Sequence, residues 1–457
     1  MSVYGSERGV RVENVESKGA APPAPAPVRR AALVFIFITV LIDILSFGLI
    51  IPVLPHLIES FLGGDVSRAA IWYGFFSTAF FAMQFFFTPV QGALSDWLGR
   101  RPVILLSNLG LGLDFLLMAL LNTLPLLFIG RIISGITAAS FSTANAYLAD
   151  VTPPQKRAQA FGMLGMAFGI GFVVAPAIGG FLGEINLRLP FWLAVVLCLA
   201  NFTYGFFVLP ESLPVEKRTP HFDWSHANPL GALKLLQRYP QVLGLVGVMF
   251  LMALAHMVYP TTFVLYADYR FHWGPQMVGY TLALVGILAA VVQGGLIKKI
   301  VGWLGERGTL MFGLGCGTVG FALYGLAPTG WWFWAAMPIA ALWGVSNPAA
   351  QAIMTHQVDP REQGRLQGAV ASLSSVAGMI APTIFTRVFA AVTQAQWHGV
   401  GVGATFFLAG ALVGTAWLLA WRVTAHLPSI TTLPAGAAAV AEIADVAASA
   451  ELQAPIA

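Results

Sequence analysis

The sequence predicts an all-α membrane protein of twelve transmembrane helices, arranged as two six-helix bundles that weakly repeat one another. Three observations carry this expectation. The 457-residue chain is 57% hydrophobic and 10% charged, with a mean hydropathy of +0.77. A soluble domain is about one-quarter charged. Its apolar residues fall in runs of roughly 20, the length a helix needs to cross a bilayer, and the alternating ten-residue segments of a membrane β-barrel are absent. One long polar segment, 210–240, divides the runs six and six.

The expected spans are 31–54, 71–94, 103–122, 124–148, 158–183, 190–209, 241–266, 276–300, 307–327, 331–352, 366–389 and 399–423. Residues 1–30 mix charges with the Ala/Pro stretch Ala20 to Pro27 and read as a disordered tail. No secretory signal peptide opens the chain. Residues 31–209 form the first bundle, 210–240 the central linker, 241–423 the second bundle, and 424–457 an Ala-rich second tail. Basic residues set the orientation. With both tails on one side, the loops on that side hold Arg29, Arg30, Arg100, Arg101, Lys156, Arg157, Lys217, Arg218, Lys298, Lys299, Arg361 and Arg365, among others. The opposite loops hold only Arg68, Arg188, Arg270 and Arg387. The positive-inside rule then puts both tails and the linker in the cytoplasm. The pI near 9.1 reports this bias and does not point to nucleic acid. Cys198 and Cys316 lie in apolar runs without metal-ligand spacing, so neither a disulfide nor a metal site is expected.

The most informative loop is Gly92-Ala-Leu-Ser-Asp96-Trp-Leu-Gly99-Arg100-Arg101-Pro102, between the second and third spans. An acid, two arginines, two glycines and a proline in eleven positions suit a tight turn at a membrane surface. A basic, glycine-bearing segment, Gly294 to Lys299 followed by Gly305-Glu306-Arg307, stands in the equivalent place about 200 residues later. Parallel repeats of this kind build transporters that hold substrate near the midplane between two halves.

Ionisable side chains inside spans are costly, at least roughly 2.5–3.5 kcal/mol at the bilayer centre, and mark function by default. Asp43 lies in span one, Asp114 in span three and Arg131 in span four. A carboxyl buried near an arginine can hold or release a proton as its surroundings change, since desolvation favours the neutral form and a cation the charged one. These three residues are the expected proton-coupling groups. Gln84, Asn145, His256, Gln293, Asn347 and Gln351 are expected to line a substrate cavity. Other polar residues in spans act mainly as helix–helix contacts.

The loop resembles the signature G-x-L-x-D-x-x-G-R-R between the second and third spans of the major facilitator superfamily. Span five contributes Gly171-x-x-x-Ala175-Pro176-x-x-Gly179-Gly180, which resembles that superfamily's antiporter motif with alanine for the middle glycine. Within the superfamily the chain is similar to the tetracycline/proton antiporters from span one to span eleven. The likeness runs through Leu41-Ile42-Asp43, Gly48 to Pro55, Gly130-Arg131-Ile132-Ile133-Ser134-Gly135, Ala149-Asp150, Gly179 to Ile185, Arg270-Phe271-His272-Trp273 and Gln363 to Gly368.

The resemblance implies the major facilitator fold and proton-coupled export of a small amphipathic drug, of tetracycline type, by alternating access. It implies intramembrane acids at Asp43 and Asp114 and an arginine working with them at Arg131. It also implies a latch of Asp96, Arg100 and Asp150, with Gly92, Gly99 and Arg101 shaping the loop. A monomer in a bacterial cytoplasmic membrane, powered by the proton gradient without a cofactor, is the expected setting. The chain departs from the pattern by lacking an acid in Gly313-Leu314-Gly315-Cys316-Gly317 of span nine and a histidine in span eight, so tetracycline itself is left open as the substrate. A metabolite importer or symporter is the alternative. It would call for more charged residues facing the cavity in both halves. An enzyme is not expected, since no His-Glu-x-x-His, Gly-x-Ser-x-Gly or P-loop motif occurs.

Overall fold

A computed structural model of the protein describes residues 30–138, 140–153, 157–222, 240–358, 362–397 and 399–425. Most of the expected N-terminal tail, most of the central linker and nearly all of the C-terminal tail lie outside the described residues.

Among the described residues the chain is helical and without strands. The first half comprises α1 (Arg30–Ile50), α2 (Leu54–Ser60), α3 (Val66–Leu98), α4 (Arg100–Leu120), α5 (Leu124–Thr137), α6 (Ser140–Val151), α7 (Arg157–Ile185) and α8 (Leu189–Val208). The second comprises α9 (Pro240–His256), α10 (Val264–Phe271), α11 (Pro275–Val291), α12 (Ile297–Leu326), α13 (Gly330–Ala341), α14 (Ser346–Thr355), α15 (Gln363–Gln394) and α16 (Ala404–Thr424). Each expected span falls largely on helix among the described residues, with turns at 51–53, 138 and 257 interrupting three of them. Nine stretches among the described residues are long and apolar enough to cross a membrane. The count falls below twelve because two expected spans are divided and two others are taken together across the non-helical corner at Gly305. α5 and α6 are separate short helices, as are α13 and α14, and Pro275–Leu326 runs as one apolar stretch through two expected spans.

Local chemistry explains the breaks. The Asp65 side chain accepts the Arg68 backbone N–H at 3.0 Å and starts α3, which begins five residues before the expected span. Proline stands in the first turn of α2, α5, α8 and α11, where its missing N–H costs nothing. Between α9 and α10 a π-helical turn, Tyr259–Phe263, carries Pro260. Between α11 and α12 a second, Val292–Leu296, carries Gln293 and two glycines. The expected repeat is visible in the backbone. Gly99, between α3 and α4, has φ 107° and ψ 161°, and Gly305, inside α12, has φ 66° and ψ 177°. Both conformations are open to glycine and not to side-chain-bearing residues.

Apolar packing fills each half. Large buried rings such as Phe76, Phe115 and Phe191 sit in the first, and Tyr266, Tyr324, Phe333 and Phe406 cluster in the second. Tyr324 and Phe333 stack at 4.1 Å between centroids. Outward-facing Phe207, Trp303 and Trp331 are about four-fifths exposed, as lipid-facing side chains of a membrane bundle are.

Candidate functional site

The two halves meet along two seams, α3 against α15 and α7 against α11. At the end of the bundle remote from the Gly92–Pro102 loop, both seams are shut. Ser67 Oγ donates to the Ala390 carbonyl at 3.3 Å, Tyr73 Oη to the Pro260 carbonyl at 2.6 Å, and Thr78 and Thr383 share a hydroxyl hydrogen bond at 2.9 Å. On the other seam Gly180 lies against the Pro275 carbonyl and Gly279 against the Pro176 carbonyl, with no room for a side chain at either. Gly286 is still close to Val173. Toward the loop end the seams part. A methyl group placed on Gly162, Gly165 or Gly169 of α7, or on Gly294 or Gly295 beyond α11, meets nothing within 4 Å. A cleft of ≈ 350 Å³ separates α3 from α15 there, lined by Phe85, Pro89, Gly92 and Asp96 on one side and Gly368 and Ser375 on the other. The bundle is thus a V, closed at the far end and open at the loop end.

Inside the first half the predicted ionisable residues occupy two separate sites. Arg131 of α5 makes an ion pair with Asp114 of α4, and both are buried. Gly130 leaves the space that Asp114 Oδ1 occupies, since a Cβ there would lie 2.7 Å away. The guanidinium also stands 5.9 Å from the centre of the Phe80 ring, within cation–π range. Arg131 borders a small apolar cavity of ≈ 50 Å³ with Phe47, Tyr73, Phe80 and Phe81, which Pro260 of the second half closes. The buried pair therefore reaches the shut end of the seam.

Asp43 of α1 sits apart from that pair, held by two amides. Asn201 Nδ2 of α8 donates to Asp43 Oδ1 at 3.1 Å and to the Thr39 carbonyl at 3.1 Å. Asn108 of α4, with its amide oriented by the network, donates to Asp43 at 2.9 and 3.3 Å and accepts from Asn201 at 3.1 Å. Asp43 thus ties three helices of one half. Asn108 and Asn201 escaped sequence reasoning because a neutral amide in an apolar helix is common contact chemistry. Their being asparagines in otherwise apolar runs was the available signal.

At the loop, Arg100 is the hub. Its guanidinium meets Asp96 Oδ1 at 2.6 Å, Ser95 Oγ at 2.6 Å and Asp150 Oδ2 of α6 at 3.1 Å. The structure brings these three charges together within the first half alone. A fourth group, Glu211, was read only as part of the linker. Its carboxylate accepts the backbone N–H groups of Arg100 at 2.9 Å, Arg101 at 3.3 Å, Ser212 at 3.0 Å and Leu213 at 3.1 Å. It therefore caps the N-terminus of α4, where unpaired N–H groups and the helix dipole favour an anion. A Cβ on Gly99 would collide with this carboxylate. Arg101 turns away and donates to the Phe206 carbonyl at the end of α8. Gly92 faces the cleft.

Of the span-five motif, Gly171 packs on Ile44, Gly179 on the Leu49 carbonyl, and Gly180 across the seam on α11. Pro176 is buried within α7. The motif is a close three-helix contact of α1, α7 and α11. The expected cavity residues are spread more widely. Gln84 and Asn145 are half-buried on α3 and α6, and Gln293 is exposed in the second π-helical turn. Gln351 Nε2 donates to Asn347 Oδ1 at 3.1 Å on α14. His256, at the end of α9, is exposed, with its ring 5.8 Å from Tyr259 and 5.9 Å from Trp343.

Two helical halves, a buried ion pair in the first of them and a cleft opening at one end define a membrane transporter of the alternating-access class. The model of the Major Facilitator Superfamily matches residues 36–382, and the chain belongs to that superfamily and, within it, to the family of the tetracycline resistance proteins. It is similar to the class C tetracycline resistance protein of Escherichia coli, at 37% identity over 379 residues, covering 82% of this chain and 94% of the relative. The class B protein of Escherichia coli is 33% identical over 349 residues, 76% of this chain and 86% of that one. Among solved structures, the human organic anion transporter MFSD10 is 25% identical, with a TM-score of 0.63 over 86% of this chain and 100% of the other.

Proposed function

We propose that the protein is a proton-coupled antiporter that exports a small amphipathic drug by alternating access, with a tetracycline-type antibiotic as the named substrate. It acts as a monomer in a bacterial cytoplasmic membrane and uses the proton gradient with no cofactor. Both termini and the 210–240 linker lie in the cytoplasm, on the side where the basic loops concentrate. The bundle described above is then open to the cytoplasm and shut toward the outside. The observation that carries this reading is the pairing of an open cleft with one buried carboxylate, Asp114, and one partly buried, Asp43, in the same half. The names of the bacterial relatives supply the substrate class.

The chemistry follows from the contacts. Protonating Asp43 removes the charge that the Asn108 and Asn201 amides solvate and loosens the tie between α1, α4 and α8. Protonating Asp114 releases Arg131, whose guanidinium borders the cavity that Pro260 closes, so a proton in the first half is felt at the seam. Asp43, Asp114 and Arg131 are the coupling groups. Gln84, Asn145, His256, Gln293, Asn347 and Gln351 contribute to the substrate path. The test is a proteoliposome with an imposed pH gradient and a lumenal pH dye. Tetracycline is added first and then a panel of amphipathic drugs. Proton flux with drug, absent in a folded Asp43→Asn variant, is expected. Flux that persists in that variant removes Asp43 as the carrier, and no flux with any drug overturns export.

A further inference from the structure

At the shut end of the bundle, three side chains converge that the transport reading leaves unused. His56 and Glu59 stand one turn apart on α2, in the first half, and Asp268 stands on α10, in the second. His56 Nδ1 is 3.8 Å from Glu59 Oε2 and 3.9 Å from Asp268 Oδ2, and the three donor atoms lie within 4.8 Å of one another. These distances are too long for hydrogen bonds, yet both carboxylates face the same ring nitrogen. The His56 side chain is only 11% exposed, and its other nitrogen, Nε2, is buried without a partner. The cluster opens onto a surface pocket of ≈ 420 Å³ whose wall carries a third acid, Glu184.

We propose that His56, Glu59 and Asp268 bind a divalent transition-metal ion that clamps the two halves together at this end. One imidazole and two carboxylates are a donor set that suits zinc, and the pocket leaves a further position to water. Bonds of about 2.0–2.2 Å in a tetrahedral site set donors about 3.4 Å apart. The observed separations close to that value with small rotations of the three side chains. Because the ligands come from both halves, the ion favours the conformation in which this end is shut and opposes its opening. A ligand that binds one of two states shifts the balance by its differential affinity. The ion thus acts as a brake on the cycle, distinct from substrate and proton. Zinc binding and closure of this end involve neither the substrate nor its transport.

The test uses the full chain in nanodiscs, purified without a histidine tag and freed of metal. Zinc binding is followed by competition with a fluorescent chelator. A distance between spin labels is measured at Arg68→Cys and Gln394→Cys, with Cys198 and Cys316 replaced by alanine. One zinc per chain is expected, with the label distances collapsing to their short population. His56→Ala and Asp268→Asn, one from each half, are each expected to weaken zinc binding about tenfold or more, as loss of a ligand or its support does, and to abolish the zinc-dependent shortening. Melting without zinc checks the fold of each, and His56→Gln replaces His56→Ala if the latter does not fold. Three outcomes overturn the proposal. They are no zinc binding, binding that survives either variant, and binding that leaves the label distances unchanged.

Discussion

Replacing Glu211 with alanine separates a structural cap from an ordinary linker charge. In the structure its carboxylate accepts N–H groups from Arg100 and Arg101, the first residues of α4, and from Ser212 and Leu213 on its own segment. It also meets Arg218 at 3.6 Å, with about a quarter of each side chain exposed. The loss of a helix cap costs about 0.5–2 kcal/mol, and an anion at a helix N-terminus adds about 0.3–1 kcal/mol. Partial exposure puts the Arg218 pair near the low end of about 0–1 kcal/mol. The sum expected for Glu211→Ala is about 1–3 kcal/mol, and Glu211→Gln, which keeps an acceptor oxygen but loses the charge, should fall about midway. Thermal unfolding of the purified protein, followed by tryptophan fluorescence, reads this as a drop of a few degrees at most for a chain of this size. Turnover should fall as well, because the same carboxylate seats the loop that carries Arg100. Arg218→Ala is the control. If Glu211→Ala and Arg218→Ala shift the midpoint equally, the ion pair and not the cap is responsible. If Glu211→Ala melts and turns over like the parent, the capping argument is wrong.

Breaking the buried pair by Asp114→Asn should destabilise the protein by about 3–5 kcal/mol, because Arg131 is left as an uncompensated buried charge. The double variant Asp114→Asn with Arg131→Gln should recover part of that stability but not proton-coupled transport, and a melting comparison alongside a vesicle flux assay checks both. Arg100→Ala or Asp96→Asn should slow turnover more than it weakens drug binding, so equilibrium binding and initial export rates are to be measured together. Gly180→Val places a branched side chain against the Pro275 carbonyl, and spin labels across the α7–α11 seam should then report a widened far end.

The charged loop was legible because its chemistry is local. Asp96 and Arg100 are four apart on one turn, and Asp150 follows a span whose length the hydropathy sets. Glu211 was not legible as a cap, since it lies 111 positions from Arg100 and meets α4 only once the chain between them is folded into place. The intramembrane acids stood out by their cost in lipid, but their partners did not. Arg131 could have served either Asp43 or Asp114, and only packing of α4 on α5 decides for Asp114. Asn108 and Asn201 carry no charge and so gave no comparable warning. The span boundaries failed where the backbone departs from the α-helix. The π-helical turn at Pro260 leaves hydropathy unchanged while altering where one helix stops and the next begins, whereas the corner at Gly305 falls between the expected spans 276–300 and 307–327.

The seams between the halves consist largely of glycines against carbonyl oxygens and of short hydroxyl side chains, with Tyr73 and Phe81 as the larger exceptions. Such surfaces slide apart with few long side chains to extract, Tyr73 and Phe81 among them, and with the His56–Asp268 pair as a charged contact between the halves. The two end states of such a machine can then lie close in free energy, separated by a low ridge. A proton falling through one pH unit releases about 1.4 kcal/mol. A landscape this level can be tilted by so small a drop, and a more deeply interlocked joint would stall under it.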